Sequence, residues 1–100
     1  MINTEILYGN VDITGTILYT APPGGASITV LRFSNTAAYD ITISRFNNTD
    51  GTTLDLYTLN LAAGDIVNDS YCYNLKDGDY IMVTSSVPGT AYTGMVTYMT

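Results

Sequence analysis

Few groups in this sequence could carry chemistry. Its 100 residues hold nine Asp and Glu, three Lys and Arg, nine Tyr, one Cys and no His or Trp. The absence of His removes Ser-His-Asp and Cys-His hydrolase arrangements and His-based zinc sites, and a single Cys removes any intramolecular disulfide framework. Carboxylates remain, but acid–base catalysis needs a pair whose surroundings push their pKa values apart. Asp50, Asp65, Asp77 and Asp79 stand at turn signals, where solvation and capping account for them. Asp77-Gly78-Asp79 with Asp65 offers oxygen ligands for a loop-bound calcium, yet lacks the alternating ligands and closing Glu of an EF-hand. Ser85-Ser86 has no base in the chain beyond Lys76, and Pro23-Gly24-Gly25 lacks the Lys-Ser/Thr of a phosphate loop. Cys72, set between Tyr71 and Tyr73 in an expected strand, reads as a packed structural thiol. The expectation is a non-enzyme with no catalytic residues, no metal and no cofactor.

The charge balance narrows the partners. A net charge of −6 leaves Arg32, Arg45 and Lys76 unable to form the basic footprint that phosphates or anionic membranes require, so neither nucleic acid nor membrane is expected. The acidity suits solubility. The N-terminus has no basic stretch followed by an apolar run, so no signal peptide is expected, and no apolar run reaches the ~18 residues of a membrane span.

The elements that would position these groups are strands. Thr, Tyr, Ile and Val are abundant, while the helix formers Glu and Lys occur once each and Gln not at all. Period-two alternation between turn signals marks eight extended segments: Glu5–Tyr8, Gly15–Thr20, Ala26–Asn35, Tyr39–Asn47, Thr53–Asn60, Ile66–Tyr73, Asp79–Ser85 and Ala91–Met99. The fold class expected is all-β, an antiparallel β-sandwich or jelly-roll-like fold of about eight short strands. Residues 1–14 read as an N-terminal arm or edge strand and residues 15–100 as the β-sandwich domain. Within Ala26–Asn35 the alternation changes phase: Ile28 and Val30 share one parity, Leu31 and Phe33 the other. Either a β-bulge sits near Val30 or both faces of the strand are covered.

Two segments repeat each other. Leu61-Ala62-Ala63-Gly64-Asp65 and Leu75-Lys76-Asp77-Gly78-Asp79 are both Leu-x-x-Gly-Asp, each ahead of a strand, with Gly64 and Gly78 expected in the left-handed region. Pro22, Pro23, Gly24, Gly64, Asp65, Gly78 and Asp79 are the structural turn residues. The tyrosine excess supplies large semi-polar contact area, and Tyr71, Tyr73, Tyr92 and Tyr98 are candidate interface residues. Ile2, Ile6, Leu7, Tyr8 and Val11 join them, because a free tail would leave that apolar surface bare.

Taken in order, Tyr19-Thr20-Ala21-Pro22-Pro23-Gly24, Ser34-Asn35-Thr36, Leu61 to Asp65 and Leu75 to Asp79 followed by Tyr80-Ile81 resemble small β-sandwich virion structural proteins of tailed bacteriophages. The resemblance runs from about Gly15 to the C-terminus and rests on the order of turn motifs. It differs after the Pro-x-Gly turn, where Gly25-Ala26 stands at a position often basic in such proteins. It implies a capsid decoration (cement) protein or a tail or fibre component, located in the virion after synthesis in the host cytoplasm. Its partners would be the major capsid protein or other virion proteins. A homo-oligomer is expected, with a trimer favoured. A carbohydrate-binding β-sandwich module is the alternative from a different class, with tyrosines as stacking platforms.

Overall fold

The computed structural model describes residues 2–69 and 71–99. Met1, Ser70 and Thr100 lie outside the described residues, and with them the extreme ends of the two expected segments. The described residues form nine strands: β1 (Ile2–Val11), β2 (Thr16–Thr20), β3 (Ala26–Ser34), β4 (Tyr39–Asn47), β5 (Thr52–Leu61), β6 (Ile66–Asp69), β7 (Tyr73–Leu75), β8 (Tyr80–Ser85) and β9 (Thr90–Met99). One sheet runs β1-β9-β3-β6, with β7 also on β3; the other runs β2-β8-β4-β5. Every pairing is antiparallel. Only the β4–β5 hairpin and the β6–β7 step stay within one sheet; all other connections cross between sheets. That winding makes an antiparallel β-sandwich of jelly-roll type.

The inward parity of each strand builds the core. Ile28, Leu31, Phe33 and Val96 from the first sheet meet Ile41, Ile43, Ile81 and Val83 from the second, all essentially without solvent exposure. Each such side chain contributes roughly 1.5–3 kcal/mol of transfer free energy. The phase change in β3 is a bulge. Thr29 pairs with Met95 and Arg32 with Thr93, so Val30 and Leu31 together oppose Gly94. Val30 takes φ +57°, a conformation β-branched residues rarely adopt, and its side chain is exposed. The bulge turns Leu31 into the core. A Cβ on Gly94 would lie 2.8 Å from Leu31 Cδ2, so glycine there makes room for the leucine.

Two strand assignments change. The short segment Glu5–Tyr8 is a ten-residue strand, in register with β9 from Ile2↔Met99 to Val11↔Thr90. Ile66–Tyr73 is two strands, β6 against Leu31–Ser34 and β7 against Ala26–Ile28 of the same partner. The bulged β3 bends between those stretches, and one straight strand could not follow both. Cys72, expected to be packed, falls in this break and is exposed as a free thiol.

Candidate functional site

The search for chemistry among the side chains leads to three places: an open sheet edge, a tyrosine seam and a buried aspartate. β1 is the terminal strand of its sheet, bonded to β9 along one side only. Alternation sends Ile2, Ile6 and Tyr8 outward, with 68%, 61% and 78% of their surface exposed. Edge strands are usually blunted by Pro, Lys, bulges or covering loops. β1 carries no Pro or Lys, its register with β9 is unbroken, and Glu5 is its single charge. Leu7 points inward and is half-buried against the core, and Val11 is buried. These two therefore support the strand from beneath rather than offer a surface, which corrects their place among the interface candidates.

The seam lies where the two sheets meet on the opposite side. Tyr57 of β5 and Tyr73 of β7 both donate hydroxyl hydrogen bonds to Oδ2 of Asp69 at the end of β6. Their hydroxyls are 3.1 Å apart, and Tyr71 N–H donates to Asp69 Oδ1 at 2.9 Å. Burial, reinforced by the bond to Asp69, pushes the Tyr57 hydroxyl up to about 12. The same causes, in the same order, push Tyr73 well above the ordinary tyrosine value. Both phenols thus stay protonated at neutral pH and hold the sheets together as donors. Tyr73 is almost fully buried: alternation along β7 turns it and Leu75 inward, so it offers a partner little surface of its own. Tyr92 and Tyr98 are half-buried against the core, whereas Tyr71 is exposed.

The third place is the second Leu-x-x-Gly-Asp turn. Asp79 is 1% exposed. Its Oδ2 accepts from Arg45 Nη2 at 3.0 Å and Lys76 N–H at 3.2 Å, and its Oδ1 accepts from Asn48 N–H at 2.8 Å. Burial alone would raise its pKa, but the Asn48, Arg45 and Lys76 donors more than offset this and hold it below the usual carboxylate range. Asp79 is thus fully engaged as a brace between loops. Among the described residues no three His, Cys, Asp or Glu side chains gather as a metal site. At the Pro22-Pro23-Gly24 turn, Gly25 N–H donates to Pro22 C=O at 2.9 Å, closing a β-turn.

No family model and no curated protein matches the chain. Solved structures share its fold. Bacillus endospore appendages that form disulfide-linked pili align with a TM-score of 0.61 at 14% identity, over 99% of this chain and 87% of that one. The Eiger TNF of S. frugiperda aligns at 0.58 and 9% identity, over 99% and 93%. A pentameric capsid protein from metagenomic phage sequences aligns at 0.53 and 17% identity, over 93% of this chain and 62% of that one. The chain is similar to these proteins in fold, an antiparallel β-sandwich.

Sequence reasoning singled out Ile2, Ile6 and Tyr8, which the fold leaves exposed on β1, and missed the roles of Asp69 and Tyr57. Their partners lie 2 to 16 residues away, on or between the consecutive strands β5, β6 and β7, and it is the packing of opposed sheets that brings them together.

Proposed function

We propose that this chain is a non-enzymatic structural subunit of a tailed-phage virion, a capsid decoration protein that bridges capsid subunits. The observation that carries this reading is the β1 edge, a ten-residue strand with one open side and an outward row of Ile2, Ile6 and Tyr8. Unpaired backbone N–H and C=O groups along such an edge are complemented by another extended strand, and the apolar row supplies the area. The turn motifs that resemble phage virion proteins and the likeness in fold to a phage capsid protein support the same reading. Function then needs no reaction. Many copies that bind only the assembled shell stabilise it by mass action, each contact being modest.

The test is co-sedimentation of the purified chain with phage particles stripped of it, comparing the wild type with Ile6→Lys. Ile6 is exposed, so the variant keeps its fold by circular dichroism and its thermal midpoint. Loss of particle binding by Ile6→Lys is the expected result. Binding at wild-type affinity overturns the role of the edge, and failure of the wild type to bind overturns the virion assignment.

A further inference from the structure

The tyrosine seam has an outer side that its role in joining the sheets does not use. Leu56, Tyr57, Tyr71 and Tyr73 line a pocket of about 250 Å³. Neighbouring residues of a strand normally point to opposite faces, yet Leu56 and Tyr57 both reach this pocket. The reason is a bulge in β5: Ile43 pairs with Tyr57 and Ser44 with Asp55, which leaves Leu56 as the extra residue. Tyr71 and Tyr73 stand with ring centroids 4.8 Å apart and planes inclined at 59°, so they form two walls of a corner rather than a stack. Tyr71 is 63% exposed and so is open to an incoming group.

Behind these rings sits the Asp69 carboxylate, which accepts from Tyr57, Tyr73 and the Tyr71 N–H. The phenols of Tyr57 and Tyr73, which donate to this carboxylate, become more electron-rich, which strengthens the negative faces of those two rings beside Tyr71. The one ion pair among the described residues is Arg45 with Asp79, so Asp69 has no cation opposite it there. Arg32 cannot serve. Leu31 is the residue in register with Asp69, and the next position, Arg32, alternates to the outer face. The aromatic lining of the pocket thus has a negative charge one hydrogen bond behind it, beyond the Tyr57 and Tyr73 hydroxyls, on a chain whose net charge is −6. Planar, weakly hydrated cations are the groups that such a surface attracts.

We propose that this pocket receives the guanidinium of an arginine side chain presented by a partner protein. The cation stacks against Tyr71, Asp69 attracts its charge from behind the Tyr57 and Tyr73 hydroxyls, and Leu56 covers the aliphatic stem. This inference stands on the pocket itself and does not depend on the partner being a capsid.

The experiment is an NMR titration of the ¹⁵N-labelled full chain with acetyl-Gly-Arg-Gly-amide. The control is the same peptide with citrulline, which keeps the shape and hydrogen-bonding head but loses the charge. The expected result is saturable shifts centred on the amides of Leu56, Tyr57, Tyr71 and Tyr73, with citrulline bound at least about fivefold more weakly. Tyr71→Ala, a change at an exposed ring, weakens the arginine peptide by at least about threefold with an unchanged thermal midpoint. Asp69→Asn weakens it further; should that variant unfold, the Tyr71→Ala and citrulline comparisons decide the matter alone. Equal binding of the two peptides overturns the proposal, as does wild-type affinity in Tyr71→Ala. Absence of saturable shifts at the pocket up to about 200 mM peptide overturns it as well, since a desolvated contact of this kind gives a Kd on the order of tens of millimolar. Shifts with maltose but not with the arginine peptide overturn it in favour of a neutral sugar.

Discussion

The two Leu-x-x-Gly-Asp turns are built alike and used differently. In each, the Asp N–H donates to the carbonyl three residues back, Ala62 at 3.1 Å and Lys76 at 2.9 Å. In each, the Asp carboxylate takes the N–H of that same residue, at 3.1 Å for Ala62 and 3.2 Å for Lys76. Gly64 and Gly78 take φ of +79° and +81°. Beyond the turn they part. Asp65 remains exposed, whereas Asp79 is buried against Arg45 and Asn48. A Cβ on Gly64 meets nothing within 4 Å, while one on Gly78 lies 2.6 Å from Asn48 Cγ. The local motif specifies the turn, and the neighbours decide whether the turn also braces the fold.

The largest expected difference is between the two aspartates. Asp79→Ala removes the partner of Arg45 and leaves the Asn48 N–H without its acceptor. It costs about 3 kcal/mol in urea denaturation, against ~0.5–1 kcal/mol for Asp65→Ala. Equal costs would break the comparison. The glycines come next: Gly78→Val combines positive-φ strain with a clash and loses about 3 kcal/mol, whereas Gly64→Val carries strain alone and loses ~1–2 kcal/mol. Matching melting temperatures for these two variants would contradict the packing described at Asn48.

Acid titration sharpens the same contrast. The Asp79 carboxyl is held below its ordinary value of 3.8, so its contribution is complete above that value. It is lost as the pH falls through the lower folded-state value. The acid limb of stability in Asp79→Asn is therefore shallower than in the wild type, measured by urea unfolding from pH 5 down to pH 2. At the alkaline end the sign reverses. Tyr57 is held neutral, its folded value raised from 10.0 to about 12, so its contribution is complete below pH 10 and lost as the pH rises through about 12. Tyr57→Phe loses that alkaline dependence, and an unchanged alkaline limb would show that the seam does not retain its proton.

The smallest effect expected is a gain. Val30 holds a left-handed conformation at an exposed position, and Asn tolerates that region better. Val30→Asn stabilises by about 1 kcal/mol. A loss of stability instead would show that Val30 is held by contacts rather than strained.

The strands were legible wherever one face is buried, because alternation then shows in the residue types: Ile41 and Ile43 inward, Thr42 between them. The phase change at Val30 and Leu31 narrowed β3 to two readings, of which the bulge is the one adopted. What could not be read depends on how the strands of the two sheets come together. Asp79 and Arg45 are 34 positions apart, and nothing near either marks the pair. Tyr57 and Asp69 meet only because β5 and β6 are the neighbouring edges of opposed sheets. Cys72 and Tyr73 look like alternate positions of one strand, yet the bend in β3 splits that strand and sends the thiol to solvent. In β1, Ile2, Ile6 and Tyr8 were visible as apolar residues needing cover; that Val11 and Leu7 face the core follows only from the register with β9.

The open side of β1 is the centre of the functional account, and amide hydrogen exchange tests it most directly. In the free chain, alternate amides along Ile2–Val11 are bonded to β9, and those between them point away from the sheet. Exchange is to be compared between the free chain and the chain bound to phage particles. The account predicts that the outward-pointing amides slow by at least about a hundredfold on binding, while those bonded to β9 change little. Unchanged exchange at every outward amide of β1 in the bound state would contradict it.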